Sequence, residues 1–334
     1  MPEFKYYLMR RLATWIPTLI GVILITFIVS HVVPAMPAKN AFFHKVNPQV
    51  LEVLKKEFYL DKPLWEQFLL YTRDLLTGHW GTSMMTNRPV IQDLETYYPV
   101  TIQLAILGEI LIIVQGIILG VIAAAKQNTA IDQAIRVIAI IGYSMPYFLL
   151  AIVLQYIFFY YTNLLPGFGL GKEPKCHITG LYLLDSLMCG DFSSFIDNLR
   201  HFILPAWTLS IPGMAVIARL MRGSLLDTLG SDFIDFCKMK GLPERIIVWK
   251  HAMKNALIPI VTVAALQFGG LLGVAVITET IFALPGVGRY SLQCTYALDF
   301  PSIMGVTFLM GLTFLIMNLI ADLLYAFLDP RVRL

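Results

Sequence analysis

The sequence predicts an all-α membrane protein with six transmembrane helices and both termini on the cytoplasmic side, on three observations. Apolar residues make up 57% of the 334 and charged residues only 14%, with a mean hydropathy of +0.70. That is more apolar surface than a water-soluble domain can hide. Crossing a hydrocarbon core of roughly 30 Å takes about 20 apolar residues in a helix, and six such runs lie near 12–33, 101–125, 137–161, 202–221, 256–281 and 303–327. The basic residues that flank these runs fit one orientation throughout.

The lengths match helices, because a spanning strand needs only about 10 residues and alternates between lipid-facing and lumen-facing positions. The first run is not expected to be a cleavable signal. It exceeds the roughly 7–15 apolar residues of a signal peptide, and no small-x-small site follows it. Lys5, Arg10 and Arg11 place the N-terminus inside, since basic groups near helix ends stay on the cytoplasmic side. Six crossings bring the C-terminus, with Arg331 and Arg333, to the same side, along with Lys238, Lys240, Arg245, Lys250 and Lys254. The segments 34–98 and 162–201 then face outward, which makes a multi-pass protein of the cell membrane. A net charge of +3 with no basic stripe argues against a nucleic-acid partner; the lipid bilayer is the expected one.

No internal repeat or low-complexity tract interrupts the chain, so 1–334 reads as one transmembrane domain. Within the first outer loop, 49–58 and 64–76 read as short amphipathic helices, with Pro63 in the first turn of the second. Pro17, Pro146, Pro205, Pro212 and Pro259 fall in or near the spans, either as bends in packed helices or as gating hinges. Gly269, Gly270, Gly273 and Ala275 permit close helix approach. Glu109, Gln115, Gln155, Gln267, Asn318 and Asp322 are costly in lipid and are expected to face the bundle interior.

The most informative segment is the inward loop 222–255. Ser231 can cap a helix whose first turn holds Asp232 and Asp235, Lys238 and Lys240 suit its last turn, and Gly241 can take the left-handed residue that ends it. Pro243 fits the first position of a following helix and Glu244 favours its positive end. Phe233, Phe236, Cys237 and Lys240 share the spacing of one helix face. Such a knuckle suits either of two roles: an interfacial helix resting on headgroups, or a rigid corner that transmits force to another protein.

The segment 232–241, followed by His251-Ala252-Met253-Lys254-Asn255-Ala256-Leu257-Ile258-Pro259, resembles the ATPase-coupling loop of binding-protein-dependent permeases. The resemblance runs almost end to end. It includes Tyr7-Leu8-Met9-Arg10-Arg11, Gly78-His79-Trp80-Gly81-Thr82-Ser83, Arg88-Pro89-Val90, the run from Glu279 through Pro285, Gly286 and Gly288 to Arg289, and Asp299-Phe300-Pro301. The ending 318–331 is similar to B-type permeases of the peptide family of ATP-binding-cassette (ABC) importers. The chain departs from that pattern at Ala35-Met36, at His79, at Asp235-Phe236-Cys237 inside the coupling helix, and in an insertion at 172–191.

The resemblance implies a type I ABC importer permease fold. It also implies a second, C-type permease subunit, two cytoplasmic ATPase subunits and an external substrate-binding protein as partners. It assigns ATPase coupling to Asp232, Phe233, Asp235, Phe236, Lys240 and Gly241, and a gating loop to Pro285, Gly286 and Gly288. The implied cargo is a di- or oligopeptide, while related systems carry di- or oligosaccharides or nickel. No Gly-x-x-x-x-Gly-Lys-Ser/Thr loop is present, so the chain is not expected to be an enzyme; ATP and Mg belong to the partner ATPases and this chain needs no cofactor.

His and Cys do not fall at zinc-ligand spacing. Cys176 and Cys189 on the outer side read as a disulfide rather than a metal site, with Cys294 able to compete. An ion-coupled secondary carrier would need charged relays at mid-depth, and the spans offer little beyond Glu109.

Overall fold

A computed structural model describes residues 2–28, 59 and 61–328; the expected helix at 49–58 and the basic C-terminal residues lie outside the described residues. Among the described residues the regular elements are helices, with one isolated extended pairing between Thr82 and Pro89. They are α1 (Pro2–Phe27), α2 (Leu64–Leu76), α3 (Val90–Ala125), α4 (Ala130–Ser144), α5 (Tyr147–Gln155), α6 (Tyr182–Met188), α7 (Phe192–Leu229), α8 (Asp232–Met239), α9 (Glu244–Ile246), α10 (Met253–Ile281), α11 (Val287–Ala297) and α12 (Phe300–Leu328). Wide π-helical turns follow α5, at Tyr156–Tyr161, and α9, at Ile247–Ala252. The second carries α9 into α10 without a break, so one helix runs from Glu244 to Ile281.

Val90–Ala125, Phe192–Leu229, Glu244–Ile281 and Phe300–Leu323 are long and apolar enough to cross a membrane. At about 1.5 Å per residue, the 36 residues of α3 reach well past a core of roughly 30 Å. Its first turns therefore belong to what reads from sequence as outer loop, and α7 likewise begins at Phe192, ten residues before the expected span. The expected span at 137–161 is broken: α4 and α5 meet at a bend of 109°. Pro146 is the reason, since the residue before proline is driven out of the helical region, and Met145 is extended at φ −79° and ψ 130°. The first apolar run appears as Trp15–Phe27; of its continuation to 33, Ile28 is described and 29–33 lie outside the described residues.

The chain forms two compact units, Met1–Tyr98 with Tyr290–Leu315, and Pro99–Arg289 with Ile316–Leu334. In the first, Ile23, Phe27, Tyr71, Leu75, Met304 and Phe308 make an apolar core, with Trp80 set edge-on to Phe308. Two motifs far apart in sequence meet beside it, where Ser83 donates to Asp299 Oδ2 at 2.5 Å and Tyr290 donates to Asp93 Oδ2 at 2.9 Å. Ser302 Oγ completes the cluster by donating to Asp299 Oδ2 at 2.9 Å. Cys294 is buried beside Tyr290, and burial pushes its thiol up to about 11. It is a free cysteine, held away from disulfide chemistry.

In the second unit α7 packs against α3, α4 and α10 around Leu104, Ile112, Leu209, Ile217, Met221 and Ile260. Close approach depends on Gly116 and Gly120. A β-carbon on Gly116 would lie 2.6 Å from Ile217 Cβ, and one on Gly120 would lie 2.6 Å from Met221 Cβ. Two of the glycines singled out from sequence behave differently, since a β-carbon on Gly270 or Gly273 meets nothing within 4 Å, while Gly269 is buried. Asp132, fully buried at the start of α4, takes a two-pronged bond from Arg222 of α7 at 2.7 and 2.8 Å, which ties these helices at one end.

Candidate functional site

The knuckle begins where α7 stops at Leu229. Ser231 occupies the N-cap position of α8, but its hydroxyl turns back to donate to Thr228 O at 2.5 Å, so the expected side-chain cap is not formed. Asp232 and Asp235 lie in the first turn, as their charge suits. At the other end Lys240 is the C-cap and Gly241 takes φ +72°, the left-handed conformation read from the sequence. Leu242 N–H donates to Cys237 O at 3.4 Å and Gly241 N–H to Lys238 O at 2.9 Å. These two bonds form a Schellman corner, which satisfies carbonyls the helix end leaves open. Pro243 is the N-cap of α9 rather than its first residue, because its ψ of 143° is still extended.

Ile234 and Cys237 form the buried face of α8, packed in the core that includes Ile247, Ala252 and Met253. Cys237 therefore does not share a face with the phenylalanines. Phe233, Phe236 and Met239 point outward, 39%, 53% and 77% exposed, with Lys240 Nζ 4.5 Å from the Phe236 ring centre. Asp235 pairs with Lys238 at 2.9 Å on the surface. Ile246 and Trp249 add exposed apolar area on the far side of the corner. Trp249 lies in the π turn, a feature sequence periodicity does not reveal.

The loop between α10 and α11 is built around one carboxylate. Glu279 is fully buried and accepts from Thr101 Oγ1 at 2.6 Å, from Arg289 N–H at 3.0 Å and from Gly288 N–H. Thr101 Oγ1 accepts in turn from Val287 N–H at 2.8 Å. The N–H groups that open α11 thus find acceptors on two other helices. Gly286 and Gly288 are small because the carboxylate sits against them. A β-carbon on Gly286 would run into the Glu279 carboxyl, and one on Gly288 would lie 2.6 Å from Val276 Cα. Pro285 is half-buried between Leu284 and Gly286. The sequence-based gating assignment takes in Pro285, Gly286 and Gly288 and gives no role to Glu279 or Thr101, although Glu279 opens one of the motifs that carry the resemblance and Thr101 ends another, Pro99-Val100-Thr101; the available signal is an acid seven and nine positions ahead of two glycines.

Cys176 and Cys189 come together with Cα atoms 6.3 Å apart and their sulfurs in bonding contact. Between them Asp185 receives the N–H groups of Ile178, Thr179 and Gly180 at 3.2, 2.9 and 3.0 Å, and the Thr179 hydroxyl at 2.7 Å. Of the polar residues expected inside the bundle, Glu109 is buried and Gln155 donates to Gly167 O at 2.7 Å. Among the described residues no group of three or more His, Cys, Asp or Glu is placed to hold a metal ion.

A family model described as binding-protein-dependent transport system inner membrane component matches residues 116–334, and its N-terminal counterpart matches 4–105. The dipeptide transport system permease protein DppB of Alkalihalophilus pseudofirmus is 40% identical over 329 residues, 98% of this chain and 99% of that one. DppB of Escherichia coli K12 is 36% identical over 333 residues, covering 98% of each. The glutathione transport system permease protein GsiC of Pectobacterium atrosepticum is 33% identical over 327 residues, again 98% of each. A chain of the inward-facing MetNI methionine ABC transporter superposes with a TM-score of 0.50 at 16% identity, covering 69% of this chain and 93% of that one. That likeness shows the fold, an ABC-transporter permease of the type I importer class. From the match over 116–334 and the near full-length identity to these permeases, the chain belongs to the binding-protein-dependent transport system inner membrane components, as a multi-pass transport permease and not an enzyme.

Proposed function

We propose that this permease forms half of the translocation pathway of an ABC importer for di- or oligopeptides. Its partners are a second, C-type permease, two cytoplasmic ATPase subunits and an external binding protein that delivers cargo. In this reading 222–255 faces the cytoplasm, while 34–98 and 162–201 face outward. The observation that carries it is the knuckle. Its buried face is fixed by Ile234 and Cys237 and its corner by the bonds around Gly241, yet Phe233, Phe236 and Met239 stand exposed. Exposed aromatics on a rigid support suit a protein cleft, where truncating a buried anchor typically costs about 2 kcal/mol or more. Asp232, Asp235 and Lys240 supply the polar rim of that contact.

The second permease has a surface to meet on α10. Leu266, Gly270, Gly273 and Ile277 are exposed at spacings of four, three and four, which is one helix face with small residues at its middle. The relatives are named for dipeptide and glutathione transport, which favours a small peptide over a sugar or nickel. ATP and Mg act on the partner ATPases. The test is ATP-dependent uptake into proteoliposomes that hold this chain with its four partner chains. Labelled dipeptide should accumulate, and excess unlabelled dipeptide but not disaccharide should compete. Accumulation of the disaccharide with no uptake of dipeptide contradicts the assignment.

A further inference from the structure

We infer that Glu279 is a positioning residue for transport: its carboxylate holds the 282–289 loop and the start of α11 in one arrangement, and cargo moved per ATP hydrolysed depends on that hold. The inference rests on reading Pro285, Gly286 and Gly288 as gating-loop residues. Phe282, Ala283, Leu284, Pro285, Gly286, Val287 and Gly288 carry no side-chain hydrogen-bonding group. Backbone bonds close the end of α10, from Phe282, Ala283 and Leu284 N–H to Thr278, Thr280 and Glu279 O at 3.0, 3.4 and 2.9 Å, Gly286 N–H reaches Leu284 O at 2.9 Å, and Gly169 N–H donates to Phe282 O at 2.8 Å. The N–H groups that open α11 need a hold from elsewhere. Thr101 on α3 and Glu279 on α10 supply it, taking the N–H groups of Val287, Gly288 and Arg289. Arg289 does not neutralise the carboxylate, because its Nη1 turns to Ala283 O at 2.9 Å. Glu279 is therefore an acceptor for backbone, tying three helices at one buried point.

Its position gives the tie a mechanical meaning. The helix that begins beside the knuckle at Glu244 ends at Ile281, so the knuckle and Glu279 are the two ends of one rod of 38 residues. A displacement of the knuckle reaches Glu279 along that rod, and the loop either stays wrapped around the carboxylate or is released. Packed segments of this kind switch between discrete arrangements rather than bending continuously.

The experiment uses the assembled importer in proteoliposomes, with hydrogen exchange on the same preparation. In Glu279→Ala, exchange at the Gly288 and Arg289 amides should speed up at least about tenfold, since their side-chain acceptor is lost. Peptide moved per ATP should fall by at least about tenfold, while subunits co-purify at the wild-type ratio. Glu279→Gln should restore most of both, because its amide oxygen can accept from Gly288 and Arg289 while its amide nitrogen donates to Thr101. A structural role alone would leave the transport-to-hydrolysis ratio unchanged. Wild-type exchange in Glu279→Ala overturns the hold itself. Faster exchange with a wild-type ratio overturns instead the gating reading beneath it. Should Glu279→Ala fail to assemble, Thr101→Val keeps the shape and removes the hydroxyl. Faster exchange at Val287 with a reduced ratio then supports the inference, and no change in either overturns it.

Discussion

The knuckle at 231–243 and the hairpin closed by Cys176 and Cys189 are both short, sharply turned segments outside the long apolar helices, and they are held in opposite ways. The hairpin closes on itself through a cysteine pair and a buried carboxylate with four donors on it. The knuckle has no such centre; apolar burial of Ile234 and Cys237 and the backbone bonds of the corner hold it, and its polar pair Asp235–Lys238 lies on the surface. A segment that satisfies its own polar groups keeps its shape unaided. The knuckle fixes its backbone and leaves phenylalanines outside, the arrangement on which the proposed ATPase docking rests. The loop at Glu279 stands between the two: like the hairpin it is wrapped on a carboxylate, but that acceptor and Thr101 lie on neighbouring helices.

The largest effect is expected at the phenylalanines. Phe233→Ala with Phe236→Ala should weaken ATPase association by well over tenfold, at about 2 kcal/mol or more per anchor, with membrane insertion unchanged. Co-purification of the ATPase subunits measures this, and wild-type recovery would place the knuckle on lipid headgroups instead. In the hairpin, the bridge closes a loop with a sequence separation of 13, worth about 3 kcal/mol in the chain-entropy model. Replacing both cysteines by serine should speed amide exchange across 176–189 and leave the knuckle untouched. Thiol labelling of the unreduced protein should find Cys176 and Cys189 unreactive; ready labelling of both would remove the covalent half of the contrast.

A smaller effect is expected at the corner. Gly241→Val puts a β-branched residue in a left-handed conformation, at a cost of roughly 1–2 kcal/mol. ATPases should still bind, through the retained phenylalanines, but hydrolysis should no longer rise when loaded binding protein is added. The smallest concerns Asp185. Burial raises its carboxyl, but the Thr179 hydroxyl and the N–H groups of Thr179, Ile178 and Gly180 outweigh burial and hold it below the ordinary carboxylate range. The folded value lies under the unfolded value of about 4, so this stabilisation is complete above about pH 4 and is lost as pH falls through the folded value. Protection of the 178–180 amides, corrected for intrinsic exchange, should be flat above that pH and decline below it. The knuckle, having no such buried carboxylate, should show no matching decline.

What could be read from sequence follows the range of the interaction. α2 occupies Leu64–Leu76 as its apolar spacing after Pro63 predicts, and the left-handed Gly241 follows from a helix pattern that stops ahead of Leu242-Pro243. These are local effects. The side-chain cap at Ser231 fails because Thr228 O offers a competing acceptor one turn back. Cys237 is on the other face because Ile234, three residues away, is the residue drawn into the core. Thr101 and Glu279 are 178 residues apart and Asp132 and Arg222 are 90 apart; no periodicity within one helix points to either partner. The broken third span lies between. Pro146 is visible in sequence and ends the helix at Met145, but a proline fits a gentle kink as well, so the residue alone does not give the bend of 109°.

If the exposed aromatic face of α8 docks on an ATPase, as proposed, a photo-crosslinking residue in place of Phe236 will capture that partner. In membranes that hold the assembled importer, illumination should join this chain to the ATPase subunit, and the yield should change when loaded binding protein and ATP are supplied. Adducts confined to lipid, with no ATPase crosslink in either state, would contradict the account.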